Sequence, residues 1–283
     1  MCEFCEKYGD EDIWYLNPEG YARQLYRRKI PGEKFVPEAI AYRQKRAVLM
    51  GELFDARLEK DQEKIQKLSN DLDRLYQENE PCQVLPLKDC YKILEYSEPI
   101  ASMSCVCRKQ TRATDERHPD EYSCLGLGTG MLKWERWPER YRGGVQFLST
   151  QQAKEWFDKW DKAGMVHMIM VYGSANEGRP FVGGLCNCDY PDCIPLRIRH
   201  DYDIKHVLLK AHYVAIPEYE LCTGCGTCVQ RCQFGAIKME VTTGKANIDM
   251  FKCFGCGVCE TGCPDEAITL ERREKFPALR EEW

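Results

Sequence analysis

Two stretches of this chain, Cys222–Glu240 (CTGCGTCVQRCQFGAIKME) and Cys253–Glu271 (CFGCGVCETGCPDEAITLE), are one unit written twice, 31 residues apart. Each carries the spacing C-x2-C-x2-C-x3-C and then a short apolar run. A self-similar period of this length predicts two copies of one supersecondary element, here a ligand loop, a short helix and a strand. Thiols this close in sequence converge on a metal more readily than they pair into well-shaped disulfides.

The spacing is that of bacterial two-cluster ferredoxins, in which the fourth cysteine of each run ligates the other cluster. It predicts one [4Fe–4S] cluster on Cys222, Cys225, Cys228 and Cys263, and a second on Cys253, Cys256, Cys259 and Cys232. Two zinc sites or free thiols are the competing accounts. Gly224, Gly226, Gly255 and Gly257 suit loops that need unusual backbone angles and amides aimed at cluster sulfurs. The repeats differ at one telling place: Pro264 follows Cys263, but Gln233 follows Cys232. Gln233 is expected to tolerate an altered turn and to bring an amide near the second cluster. Lys252, beside Cys253, either raises that cluster's potential or is simply solvated. Four thiolates saturate a cubane, so these centres have no position for substrate and suit single-electron transfer.

Outward from the repeat, the chain has 283 residues, a net charge of −5 and 30% charged residues, which excludes a basic nucleic-acid binder. No apolar run approaches the roughly 18 residues of a membrane span. The polar start MCEFCEKYGDEDIW (1–14) does not read as a secretory signal, which with the 18 cysteines favours a reducing cytoplasm over a disulfide scaffold. Residues 1–80 read as an aromatic arm with a short helix near 20–29, followed by a long helix over 38–80 or two helices with a break near Asp61. Leu58, Ile65, Leu68, Leu72 and Leu75 form its apolar stripe, and Leu49, Leu53 and Phe54 begin a similar face. The stripe packs on the parent domain, or serves docking or oligomerisation.

Residues 81–217 read as a mixed, cysteine-rich domain. Val145–Leu148 is an expected strand, Ser149 or Thr150 a helix cap, Gly164 the helix end and Val166–Tyr172 a further strand. Trp156, Phe157 and Trp160 are core residues at helical spacing, and His167 a satisfied structural histidine. Six thiols here form two groups, each a C-x-C followed by a more distant cysteine: Cys105, Cys107 and Cys124, then Cys186, Cys188 and Cys193. Four suffice for a third cubane or a zinc site, with Cys105, Cys107, Cys186 and Cys188 the first choice and Cys124 and Cys193 in reserve. Reduced structural or reactive thiols stay open as well. Arg108 and Lys109 would offset the charge of a thiolate cluster. Cys2 and Cys5 form a lone C-x-x-C, read as a mobile thiol pair. His118-Pro119-Asp120 and Arg199-His200-Asp201 fit turns, and His206 and His212 share no helix face. CLGLGTG (124–130) lacks the full dinucleotide fingerprint, and no Walker lysine or H-E-x-x-H is present.

The segments EPIASMSCVCRKQ (98–110), KAGMVHMIM (162–170) and LCNCDYPDC (185–193), with the two-cluster ending, resemble a family of ferredoxin-like proteins of strict anaerobes. In that family C-x-C-R and C-N-C elements precede a two-[4Fe–4S] ferredoxin domain. The resemblance spans about 98–271 and leaves the 38–80 helix outside it; it implies an iron–sulfur electron carrier. The expected fold is α+β: a C-terminal two-cluster ferredoxin domain (218–271) with a charged tail (272–283), appended to the cysteine-rich domain and its long N-terminal helix. The expected function is a relay of single electrons between redox partners, as a subunit of a larger anaerobic oxidoreductase in the cytoplasm. Homo-oligomerisation stays open. A reductase acting at the C-x-C centre and a thiol redox sensor are the alternatives.

Overall fold

The computed structural model describes residues 2–10, 12–18, 21, 37–77, 82–103, 105, 107–108, 123–128, 146–172 and 181–283. Most of the expected arm helix near 20–29, the His118–Asp120 turn and Lys109 lie outside them. A short helix, α1 (Glu3–Tyr8), opens the chain. The helical stretch that follows is divided in two: α2 (Pro37–Glu59) and α3 (Gln62–Gln77). Lys60 has a φ of 58° between them, and Asp61 accepts a hydrogen bond from the Lys64 amide, which starts the second helix. Leu53, Leu68, Leu72 and Leu75 are buried, whereas Leu58 is 83% exposed and stands outside the stripe. Asp73 accepts hydrogen bonds from the His206 amide and ring, each at 2.8 Å, which fastens α3 to the body of the protein.

The middle of the chain builds a seven-stranded sheet from β1 (Cys82–Val84), β2 (Ile100–Met103), β3 (Cys124–Leu127), β4 (Gln146–Leu148), β5 (Val166–Tyr172), β6 (Phe181–Cys188) and β7 (Leu208–Leu209). The spatial order is β4-β2-β3-β6-β5-β1-β7, and every pairing is antiparallel except β1 with β7. Two helices, α4 (Leu87–Glu95) and α5 (Thr150–Lys162), flank it. At the start of α5, Ser149 Oγ accepts from the Gln152 amide and the Ser149 amide donates back to Gln152 Oε1, a reciprocal cap. Gly164, at a φ of +84°, ends the helix. Phe157 and Trp160 are buried in the core. His167 is fully buried, with Nδ1 2.6 Å from Asn187 Oδ1 and Nε2 3.2 Å from Asp161 Oδ1.

After α6 (Ile194–Tyr202), the C-terminal unit pairs β8 (Tyr213–Pro217) with β11 (Ile268–Arg272), and β9 (Ile237–Met239) with β10 (Ala246–Ile248). Short helices α7 (Thr227–Arg231) and α8 (Val258–Thr261) follow the two cysteine loops. The charged tail at 272–283 is docked rather than free. Arg273 is fully buried and donates to the carbonyls of Ala211, Tyr213 and Cys253. Among the described residues, no helix is long and apolar enough to cross a membrane.

Candidate iron–sulfur and metal sites

The eight C-terminal cysteines line two separate cavities. One, with about 360 Å³ of open volume, is lined by Cys222, Cys225, Cys228 and Cys263. The other, about 330 Å³, is lined by Cys232, Cys253, Cys256 and Cys259. The fourth cysteine of each run therefore faces the other run's first three. Backbone amides point at the sulfurs: Ala236 N lies 3.4 Å from Cys232 Sγ and Ala267 N lies 3.3 Å from Cys263 Sγ, the same contact one repeat apart. Ala215 N and Gly255 N both donate to Cys253 Sγ at 3.4 Å. Gly255 sits at a φ of +66°, and a Cβ there would stand 2.1 Å from the Tyr213 carbonyl oxygen; only glycine permits this loop. Burial pushes the thiols of Cys253, Cys256 and Cys259 above the usual range, so three thiolates there call for a compensating cation. Four sulfurs and inward-facing amides around one cavity fit a [4Fe–4S] cluster. Lys252 is exposed and paired with Asp249 at 3.7 Å, the solvated alternative.

The two C-x-C pairs come together on one face of the seven-stranded sheet. Alternate residues of a strand share a face, so Cys186 and Cys188 at the end of β6 point the same way. The register pairs Leu125 with Leu185, and one step on sets Cys124 opposite Cys186. Met103 lies opposite Cys124 on the other side, and Cys105 follows two residues beyond it. Cys193 caps α6 after a tight turn. The six sulfurs form a closed circuit in hydrogen-bonding reach of their neighbours: Cys105, Cys107, Cys193, Cys188, Cys186, Cys124 and back to Cys105. All but Cys107 are buried. The first choice of four and the two reserves thus share one site, and the ring itself gives no reason to rank them.

A neighbouring sulfur, reinforced by burial, holds Cys107, Cys124, Cys186 and Cys188 well above the usual thiol range; for Cys193 burial leads. Cys105 is pulled down by contacts from Cys107 and then Cys124. Six sulfurs this deep cannot all be anionic without strong positive charge nearby. Arg108 supplies some. Its side chain is almost fully buried, its amide donates to Cys105 Sγ at 3.5 Å, and its guanidinium pairs with Asp189 at 3.2 Å. On the opposite sheet face, Asn187 turns to His167, so the residue between the two cysteines serves the core.

Gln233 joins the two regions. Its Oε1 accepts from the Tyr190 amide at 2.9 Å, and its Nε2 donates to the Gly164 carbonyl at 2.9 Å and the Cys188 carbonyl at 3.4 Å. On the other side of Cys232, Arg231 donates to the carbonyls of Asp161, Lys162 and Val258. Arg231 therefore ties the Cys232 loop to the end of α5 and to α8, and Gln233 ties it to Gly164, Tyr190 and the end of β6. The amide of Gln233 is used for docking rather than directed at a cluster sulfur.

A third group joins the Cys2 and Cys5 pair to a distant histidine. Cys2 and Cys5 are 3% and 2% exposed, not a mobile pair, and both face His212. Their sulfurs lie 3.5 Å apart, and His212 Nε2 lies 3.8 Å from Cys2 Sγ and 3.4 Å from Cys5 Sγ. The C-x-x-C was visible in sequence; its partner 207 positions from Cys5 was not.

Residues 221–268 match the family of 4Fe-4S dicluster domains. No curated protein matches the chain. The C-terminal region is thus ferredoxin-like, which supports bound [4Fe–4S] clusters and an iron–sulfur electron-transfer role.

Proposed function

We propose that this chain relays single electrons between redox partners through three iron–sulfur centres, two in the C-terminal repeat and a third in the six-cysteine ring. The observation that carries the proposal is the attachment of the Arg231–Gln233 segment, centred on Cys232, to the Cys188 carbonyl, the Tyr190 amide, the Asp161 carbonyl at the end of α5 and the Gly164 carbonyl. That bonding keeps the ring-bearing sheet and the Cys232 loop in fixed register. Bound clusters of this kind take up and release single electrons without an open coordination position. The chain's own residues supply the rest. Cys222, Cys225, Cys228 and Cys263 hold one centre, and Cys253, Cys256, Cys259 and Cys232 the other. Amides of Ala215, Ala236, Gly255 and Ala267 stabilise the thiolates, and Arg108 offsets charge at the ring. Burial of the ring favours a relay over a substrate site or an exposed thiol sensor.

A relay needs a donor and an acceptor, so we assign this chain to a larger oxidoreductase. Phe54 and Leu58, one turn apart on α2, are 48% and 83% exposed and offer apolar contact area for another subunit. Mild anaerobic purification from the native host should recover an oxidoreductase subunit with this chain. Recovery of a solitary monomer that exchanges electrons with many carriers would overturn the subunit assignment.

A further inference from the structure

We propose that Cys2, Cys5 and His212 form a mononuclear metal site of the zinc class, separate from every iron–sulfur ligand named above. The three donors lie within 4.8 Å of one another, and all three residues are buried. A tetrahedral zinc ion with Zn–S of about 2.3 Å and Zn–N of about 2.0–2.1 Å sets its ligands about 3.8 Å apart for S···S and about 3.6 Å apart for S···N. The structure has 3.5 Å between the sulfurs and 3.8 and 3.4 Å from them to His212 Nε2. A disulfide would bring the sulfurs to about 2.05 Å instead.

Hydrogen bonds link the group as a chain: the Cys2 thiol donates to Cys5 Sγ at 3.5 Å, and Cys5 Sγ lies 3.4 Å from His212 Nε2. Gln83 is fixed by accepting from the Trp14 indole at 2.8 Å and donating to the Lys210 carbonyl at 3.0 Å. Its amide nitrogen then lies 3.3 Å from His212 Nε2. A donor on that side makes Nε2 the unprotonated ring nitrogen, with a single lone pair. Cys2 Sγ, Cys5 Sγ and the Gln83 amide nitrogen all lie within 3.8 Å of Nε2, which offers one lone pair. A metal ion taking that lone pair, with both sulfurs as thiolates, would satisfy the two sulfurs and the ring nitrogen and leave the Gln83 amide with the Lys210 carbonyl as its acceptor. The Trp14 amide, 3.4 Å from Cys5 Sγ, then donates to a thiolate. Two thiolates and a divalent cation are neutral together, which suits a pocket walled by Trp14, Tyr15 and Trp283. Among the described residues no fourth Cys, His, Asp or Glu joins the group.

The ion would clip α1 to the segment between β7 and β8, where the sheet gives way to the C-terminal unit. Metal binding of this kind is coupled to folding. The test uses the full chain, produced with zinc and iron present and purified without air. Metal analysis should find about one zinc per chain besides the iron, and zinc-edge absorption should show two sulfur scatterers near 2.3 Å with lighter ligands near 2.0–2.1 Å. Cys2→Ser with Cys5→Ser should lower zinc about tenfold and leave iron unchanged. His212→Cys should keep the zinc and raise the sulfur count to three. Absence of zinc in the wild-type chain, or a Cys2–Cys5 disulfide under the same conditions, overturns the site. So does zinc that survives the double substitution but leaves with Cys105→Ser and Cys107→Ser; that result would also count against iron in the six-cysteine ring, whereas loss of ring iron alone would leave this site standing.

Discussion

Replacing Gln233 with alanine tests whether the Cys232 loop is fixed to the ring-bearing sheet. The side chain makes two good hydrogen bonds, with the Tyr190 amide and the Gly164 carbonyl, both at 2.9 Å, and a longer one to the Cys188 carbonyl at 3.4 Å. Each good bond contributes about 0.5–1.5 kcal/mol net, so the docked state should lose about 1–3 kcal/mol. That corresponds to a rise of roughly 5- to 150-fold in the local opening equilibrium. Hydrogen exchange of the Tyr190 amide reads this directly, because in the wild-type chain that amide donates to Gln233 Oε1. Gln233→Glu separates the two halves of the contact: an acceptor remains for Tyr190 while the donor to Gly164 is lost, so Tyr190 should stay largely protected. The proline of the second repeat offers neither group, and Gln233→Pro should resemble the alanine variant. Unchanged protection of Tyr190 in Gln233→Ala would refute the docking role.

Several further outcomes are expected. Gly255→Ala should remove about four irons per chain, since its Cβ would meet the Tyr213 carbonyl beside the Cys253 loop; full iron in that variant would contradict the cavity geometry. Cys232→Ser should disturb the centre on Cys253, Cys256 and Cys259 more than the one on Cys222, Cys225, Cys228 and Cys263, as read by iron content and electron paramagnetic resonance. Leu72→Ala, in the buried part of α3, should cost about 2–5 kcal/mol in reversible unfolding, whereas exposed Leu58→Ala should stay within about 0.5 kcal/mol. Equal effects would mean that α3 does not pack as described.

The parts of this protein legible in sequence were those written locally. The cysteine repeat, the Ser149 cap, the Val166–Tyr172 strand and the core role of His167 all follow from spacing over a few residues. The C-x-C pairs were legible as two groups of thiols, but Cys186 and Cys188 share a face because β6 is a strand, and Cys124 joins them through the β3–β6 register. Long-range pairing of that kind leaves no mark in linear spacing, so Cys124 and Cys193 stood apart as reserves. Gln233 was visible as a departure from the repeat, yet its partners lie in another part of the chain. The same distance hid His212 from Cys2 and Cys5. Leu58 fits the helical period, but the turn at Lys60 ends the helix before that period can continue.

The most direct test of the relay is the iron and sulfide content of the full chain, purified without air and compared with Cys105→Ser, Cys107→Ser. A third cluster in the ring predicts about twelve irons, about four more than two cubanes require, and selective loss of that surplus in the double variant with the ferredoxin signals unchanged. Mössbauer spectra should show the surplus as cluster iron. About eight irons in the wild-type chain, with the six ring thiols titratable on unfolding, would contradict the third centre.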